Sequence, residues 1–262
     1  MKIHFLGTCA GTEPLPGRRH SAVILESGDN FYQFDAGESC AYTAYATMKL
    51  DLVKTRAIFV THPHIDHIGG LPHLLNTLRK LCVVRKADYP HEKVDVIFPD
   101  KNMWNAACLL GTGSEYIPGV FNKVNYLMSV VADGKVFSDE NISVEALHNM
   151  HLGVPEDGVW KSFSYRVTCE NKKLVFSGDI KGIDDIAPFL ADGCDALFIE
   201  TGHHHPGNIA AEIKERKFKV GKLIYVHSGR YILNDYDGSV KSIEENWGKE
   251  FLVAEDAMTI EL

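Results

Sequence analysis

The sequence predicts an α/β protein, and three observations predict it. Short apolar runs of strand length alternate with stretches of helical patterning. Several of those runs finish on a residue with metal-ligand or acid/base chemistry. The length, 262 residues, suits one large α/β domain with a sizeable core, or two small ones.

Taken in order, Lys2–Leu6 predicts a first strand, interrupted by Gly7 and followed by a loop holding Gly11, Pro14, Pro16 and Gly17. Ser21–Glu26 and Phe31–Asp35 read as two strands around Ser27-Gly28-Asp29-Asn30, a hairpin signal. Ala41–Asp51 predicts a helix, Arg56–Thr61 a strand, and Pro72–Leu81 a helix whose Pro72 is tolerated in the first turn. Between residues 82 and 141 the pattern thins to a strand at Val94–Phe98, a helix at Asn102–Leu110 and a turn-rich connection over Gly111–Gly119. Strand signals resume at Ile142–Leu147, Ser162–Cys169, Lys173–Ser177, Ala196–Glu200 and Lys222–Val226, with helices over Asp184–Ala191 and Ile209–Lys217. With no fixed-period repeat, low-complexity tract or linker, residues 1–262 are expected to form a single domain.

Composition is that of a soluble globular protein, at 45% hydrophobic and 24% charged. The net charge of −8 argues against a broad electrostatic footprint for duplex nucleic acid. It leaves a phosphorylated small substrate open, because bound divalent ions supply local positive charge that the formal count ignores. Six cysteines (Cys9, Cys40, Cys82, Cys108, Cys169, Cys194) form no CxxC pair, which predicts free thiols in a reducing compartment. The opening strand is no signal-peptide core, and no apolar stretch approaches the ~20 residues needed to span a bilayer. A cytoplasmic protein without a membrane partner is expected.

The most informative segment is His62-Pro63-His64-Ile65-Asp66-His67, set between the apolar run Ala57–Val60 and Gly69-Gly70-Leu71-Pro72. Imidazole and carboxylate are ligands for zinc and for harder divalent ions. His62 and His64, two apart in extended chain, point the same way and can chelate one ion; Asp66 and His67, past the turn, suit a second. Other apolar runs also end on such groups: Phe31–Phe34 on Asp35, Leu174–Phe176 through Ser177-Gly178 on Asp179, Ala196–Ile199 on Glu200, and Leu223–Val226 on His227. One such ending is usually a turn or cap, but five at one sheet edge would converge on a single crevice. A dinuclear centre needs about seven protein ligands and a bridging water. The loop supplies four, His227 and Asp179 are natural additions, and a carboxylate can bridge two ions. For the seventh, spacing leaves His148 and His151 both open.

The loop with its following Ile68-Gly69-Gly70-Leu71, Phe34-Asp35-Ala36-Gly37-Glu38 before it and Ser177-Gly178-Asp179 after it resembles the metallo-β-lactamase superfamily, and within it the ribonuclease Z-like branch. The opening Phe5-Leu6-Gly7-Thr8 and the ending Ala254-Glu255-Asp256-Ala257-Met258-Thr259-Ile260 are similar to that branch as well. The resemblance implies a four-layer αββα sandwich, two mixed sheets flanked by helices, with the metals at one edge. It implies His62, His64 and His151 on one ion, Asp66, His67 and His227 on the other, and Asp179 bridging. His151 is preferred because the family's ligand precedes a strand containing Tyr-Arg, here Tyr165-Arg166. Asp35 resembles the family's aspartate that orients a ligand imidazole. The cofactors implied are two divalent ions, zinc first, with manganese and iron as alternatives that ligand type alone does not separate.

Two ions about 3.5–4 Å apart make a bridging water acidic enough to be hydroxide near neutral pH. Such a hydroxide could attack a phosphorus or a carbonyl carbon, with Asp66 among the groups that hold the centre together. The leaving oxygen needs a proton, and Glu200-Thr201-Gly202-His203-His204-His205 offers three imidazoles, of which His205 fits the family's position best. The expected function is a metal-dependent phosphodiesterase on a small or cyclic phosphodiester or an RNA end. Asp179, where a Cys would stand in the commonest zinc β-lactamases, argues against that activity. The transfer-RNA-maturing relatives carry a long arm between the Tyr-Arg strand and the Ser-Gly-Asp loop, whereas only Val167–Val175 intervenes here. This ranks a small phosphorylated substrate, as in the cyclic-phosphate enzymes of phosphonate metabolism, above RNA. Arg18, Arg19 and His20 could add phosphate donors. An acyl hydrolase on a lactone or thioester, with an apolar mouth from Tyr116–Phe121, is the alternative, and a low-turnover metal-binding or sensing protein ranks last. A homo-oligomer is consistent with the relatives.

Overall fold

The computed structural model describes residues 1–113, 124–155 and 157–262; the Tyr116–Phe121 segment and most of Gly111–Gly119 lie outside the described residues. The strands are β1 (Lys2–Gly7), β2 (Ala22–Ser27), β3 (Asn30–Phe34), β4 (Thr55–Phe59), β5 (Val94–Phe98), β6 (Tyr126–Val130), β7 (Gly134–Ser138), β8 (Ile142–His148), β9 (Phe163–Cys169), β10 (Lys172–Phe176), β11 (Cys194–Thr201), β12 (Val220–Ser228), β13 (Phe251–Val253) and β14 (Thr259–Glu261). The α-helices are α1 (Cys40–Tyr42), α2 (Ile65–Ile68), α3 (Leu71–Val83), α4 (Lys101–Thr112), α5 (Ala187–Leu190), α6 (Pro206–Glu215), α7 (Arg230–Asn234) and α8 (Tyr236–Trp247). None is long and apolar enough to cross a membrane. The chain divides into two compact units that interleave in sequence.

The first unit comprises Met1–Gly7, Pro14–Val131 and Glu255–Leu262. Its seven-stranded sheet runs β14-β1-β2-β3-β4-β5-β6. Pairings from β14 to β3 are antiparallel and those from β3 to β6 parallel. In α3, Leu71, Leu74, Leu75, Leu78 and Cys82 recur at helical spacing and are buried. They join Ile58, Val60, Val96, Phe98 and Trp104 in one core. Asp100 starts α4 by accepting hydrogen bonds from the backbone N–H groups of Asn102 and Met103 at 2.8 and 3.0 Å.

The helix expected over Ala41–Asp51 is only begun. After α1 the chain widens into a π-turn at Thr43–Thr47 and then forms a 3-10 turn at Leu52–Lys54. Thr43 Oγ1 donates back to Ser39 O at 3.2 Å, and Met48 N bonds Thr43 O at 2.9 Å. A threonine that hydrogen-bonds the preceding turn bends a helix, and no side chain caps α1.

The second unit comprises Thr8–Glu13 and Ala132–Ala254. Its seven strands run β13-β12-β11-β10-β9-β8-β7. Pairings from β7 to β10 are antiparallel and those from β10 to β13 parallel. A two-residue turn joins β9 to β10, with Glu170 and Asn171 both at positive φ (49° and 61°), the conformation a tight hairpin needs. The core gathers Val175, Leu197, Ile199, Leu223 and Tyr225 from the sheet with Ile209, Ile213, Ile243 and Trp247 from α6 and α8.

The Asp184–Ala191 helix is split into a 3-10 turn at Ile183–Asp185 and α5, because Pro188 fits only a first turn. Helix α8 carried no sequence expectation. It buries only Ser239, Ile243 and Trp247, one residue per turn, with Gly238 inside the first turn. Both sheets are mixed and each unit carries helices, as the α/β expectation required.

Candidate metal centre

In the first unit, the chain leaves β4 at Phe59, passes Val60 and Thr61, and enters the His62–His67 segment, whose second half is the single turn α2. Asp35, the first residue after β3, takes φ +55° and turns its carboxylate towards this segment. Asp35 Oδ1 accepts the Thr61 backbone N–H at 2.7 Å, and Oδ2 lies 2.7 Å from His67 Nδ1 and 2.9 Å from Thr61 Oγ1. Thr61 Oγ1 is in turn 3.0 Å from His62 Nδ1. The network is satisfied when both imidazoles carry their proton on Nδ1, His67 donating to Asp35 and His62 to Thr61. Each Nε2 then keeps a lone pair for an ion.

His67 Nε2 stands 3.5 Å from Asp66 Oδ2. The ring of His62 lies 4.1 Å from that of His67 and 4.6 Å from that of His64. His62, Asp66 and His67 are buried, whereas His64 is exposed. Gly37 is needed behind the segment, since a Cβ there would come 2.4 Å from Asp66 O.

In the second unit, parallel strands bring three groups to one edge. β10 runs through Ser177 and Gly178, at φ +57°, to Asp179; β11 reaches Glu200; β12 reaches His227. The β11–β12 register jumps from Glu200↔Val226 to Thr201↔Ser228, so His227 is the extra residue of a β-bulge and takes φ +50°. A bulge re-aims one side chain by leaving it unpaired at a local break in the ladder. Ser228 N donates to Thr8 O at 2.6 Å and Ala10 N to Ser228 O at 3.1 Å, which anchors the chain just beyond the bulge. Gly202 leaves room for the ring, because a Cβ there would fall 2.5 Å from His227 Nδ1.

Asp179 lies between two imidazoles. Its Oδ1 is 3.4 Å from His227 Nε2, and its Oδ2 is 3.6 Å from His151 Nε2. These separations exceed hydrogen-bonding distance. They match the spacing of about 3.4 Å between two donors each ~2.1 Å from one tetrahedral zinc. The Asp66–His67 separation is of the same kind. Nitrogen and oxygen donors at this spacing, with one carboxylate facing two imidazoles, fit divalent ions.

His148 is held elsewhere: its backbone N–H and its Nδ1 each meet the Asp133 carboxylate at 2.6 Å, and its ring stacks on Trp160 at 4.0 Å. Glu200, noted in the sequence only as a strand end, proves central to this unit's cluster. Asp179, Glu200, His203 and His227 each bring one ligand atom within 4.8 Å of the others. Glu200 accepts from His203 N at 3.0 Å and Ile180 N at 3.2 Å, and meets His203 Nδ1 at 3.1 Å. Burial pushes the Glu200 carboxyl up, but hydrogen bonds and charge from His203 and His227 outweigh it and hold the group below the usual carboxylate range. The Glu200 hydrogen bond likewise raises His203 above the ordinary imidazole value.

His204 Nε2 meets Ile180 O at 3.0 Å. His205 differs from both neighbours. Its Nδ1 has no hydrogen-bond partner among the described residues, and its ring meets the half-exposed Tyr231 edge-on at 4.9 Å.

Comparison with known proteins places this geometry in a family. The family model described as "Anti-Pycsar protein Apyc1" matches residues 1–253. A ribonuclease Z of Shouchella clausii is 26% identical over 263 residues, 99% of this chain and 69% of that enzyme. A ribonuclease Z of a Synechococcus strain is 32% identical over 189 residues, 71% of this chain but only 54% of that enzyme. Among solved structures, the metallo-β-lactamase fold protein YhfI from Bacillus subtilis superposes with a TM-score of 0.74 at 17% identity, covering 99% of this chain and 98% of that one. The chain belongs to the anti-Pycsar protein Apyc1 family and, with these relatives, to the ribonuclease Z-like branch of the metallo-β-lactamase superfamily of metal-dependent hydrolases.

Proposed function

We propose that this chain is a phosphodiesterase acting on a small or cyclic phosphodiester, its residues 1–262 working as one cytoplasmic hydrolase domain. His62, His64 and His151 would hold one divalent ion, Asp66, His67 and His227 a second, and Asp179 would bridge them, with zinc the first choice of metal. The observation that carries this reading is the Asp179 carboxylate, one oxygen 3.4 Å from His227 Nε2 and the other 3.6 Å from His151 Nε2. When bound, such ions acidify a water and stabilise charge on the group under attack.

The chain's own residues do the rest. Asp35 fixes the His67 ring and its tautomer through the 2.7 Å hydrogen bond. Glu200 orients His203 and the loop that follows. His205, in the loop that follows β11, is assigned the proton for the leaving oxygen.

The relatives named ribonuclease Z support cleavage of a phosphodiester. A small substrate is favoured over transfer RNA by the two-residue turn at Glu170-Asn171, where no arm projects, and by the net charge of −8. Hydrolysis of bis(p-nitrophenyl) phosphate by zinc- and manganese-loaded protein tests the reading, with an acyl thioester and a lactone run beside it. Metal-dependent diesterase activity that is lost in Asp179→Ala is the expected result. Turnover of the thioester or lactone without diesterase activity would overturn it.

A further inference from the structure

Two of the second unit's candidate ligands stand beyond the strand pairings that could hold them. His151 lies three residues past the end of β8 and Asp179 three residues past the end of β10, whereas His227 lies within β12. Yet Asp179 Oδ2 and His151 Nε2 face one another at 3.6 Å. Two turns outside a ladder keep such a spacing only if something besides the ladder joins them.

A run of buried hydrogen bonds does so. The Asn149 carbonyl oxygen accepts the His151 backbone N–H at 3.2 Å, and its amide nitrogen donates to Ser164 Oγ at 3.2 Å. Ser164 Oγ donates to Ser177 O at 2.5 Å. Asn149, Ser164 and Ser177 are all buried, at 1%, 0% and 1% exposure. The run therefore starts at one ligand and ends two residues before the other, without passing through water. Both ends are fastened to the sheet. Asn149 N donates to Ser162 O at 3.0 Å, closing the neck of the turn. Ser177 N donates to Phe198 O at 2.9 Å, and Ser177 Oγ accepts the Glu200 backbone N–H at 3.1 Å.

The polarity of the run is fixed from its far end. A carbonyl oxygen only accepts, so Ser177 O takes the single proton of the Ser164 hydroxyl. Towards Asn149 that hydroxyl can then only accept, which requires the amide to present its NH2 group. The Asn149 carbonyl oxygen is thereby turned to the His151 N–H. Stability alone does not call for this arrangement, because apolar groups of like shape in place of a buried hydrogen-bonded pair can be nearly neutral. What apolar groups cannot supply is direction.

We propose that Asn149 and Ser164 are positioning residues for the metal centre, which set the His151 imidazole beside Asp179 by tying the turn at 149–151 to the Ser177–Asp179 segment. This role rests on the reading of His151 and Asp179 as ligands. Loss of a partner that orients a ligand from behind lowers metal affinity by about 10–100-fold.

Equilibrium dialysis and visible absorption of the cobalt-loaded protein test it, since cobalt accepts the same nitrogen and oxygen donors as zinc. Asn149→Leu and Ser164→Ala each break the run without adding charge. Tyr225→Phe, which removes a buried hydrogen bond to Pro206 O elsewhere in the same unit, is the control for general loosening. His151→Ala tests the ligand itself. Each of the first two variants should bind one cobalt ion as the wild type does and a second about 10–100-fold more weakly, with altered absorption. Tyr225→Phe should match the wild type in both readouts. The proposal is overturned if His151→Ala loses an ion while Asn149→Leu and Ser164→Ala keep wild-type affinity and absorption. It is equally overturned if Tyr225→Phe weakens the same ion to the same extent. Two ions bound unchanged in His151→Ala would overturn the ligand assignment, and this role with it.

Discussion

The two units are built to the same ladder plan and loaded with chemistry in opposite ways. Each has seven strands, with three antiparallel pairings followed by three parallel ones. The first unit concentrates four candidate ligands in one six-residue segment after a single strand. The second distributes His151, Asp179 and His227 over the exits of β8, β10 and β12, and adds Glu200 at the end of β11. A concentrated segment needs one loop conformation to be correct. A distributed set needs the register of every intervening pairing to be correct, and in β12 it needs a bulge as well.

That contrast can be broken most forcefully at Asp179, where the distributed set converges. Asp179→Ala should lower diesterase turnover by about 10³-fold or more and abolish stoichiometric metal binding, measured by steady-state kinetics and elemental analysis. His64→Ala, at the exposed member of the concentrated segment, should cost less. Equal losses would show that neither style of loading holds the centre alone.

Next in size is Gly202→Ala. It places a methyl 2.5 Å from His227 Nδ1 and should reduce turnover about 10²-fold by displacing one ring. The melting temperature should move little, because the bulge and the ladder on either side survive. A large loss of stability would mean that Gly202 serves the fold more than the site.

His205→Ala should also cost about 10²-fold, but only for diesters with an alkyl leaving group, and far less for p-nitrophenyl diesters, whose leaving group needs no proton. A loss that ignores the leaving group would remove His205 from that role and direct attention to His203. Asp35→Ala should lower metal affinity by about 10–100-fold, because the His67 ring loses the carboxylate that orients it.

The smallest effect compares the two cores. Burial pushes the thiols of Cys40 and Cys108 in the first unit, and of Cys194 in the second, up to about 12. Iodoacetamide at pH 8 should label these positions slowly in the native protein and rapidly after denaturation. Fast native labelling in one unit alone would identify the unit that opens more readily.

The same contrast explains what the sequence made legible. The His62–His67 segment declared its chemistry because its ligands are contiguous and scarce residue types. Asp179 and His227 were visible as strand ends, and His151 could be separated from His148 only by resemblance. The reason is now physical: only two residues lie between the two histidines, yet Asp133 and Trp160 hold one while the other faces Asp179. The role of Glu200 stayed hidden, since a carboxylate at a strand end is ordinary until its neighbours across the sheet are known. Local periodicity placed the long buried strands well. It failed where one residue broke the period, as Thr43 did by back-bonding, Pro188 by restarting a helix, and Gly238 by diluting the apolar stripe of α8.

The bulge at His227 makes β12 vulnerable in an unusual way. Removing that one residue would let Thr201 pair with Ser228 in unbroken register, and the sheet would become more regular for the loss. The shortened protein should keep its ladder while lacking an imidazole at the strand's exit and one partner of the buried Glu200 carboxylate. A single-codon deletion there would thus show far more in an assay of chemistry than in the architecture of the sheet.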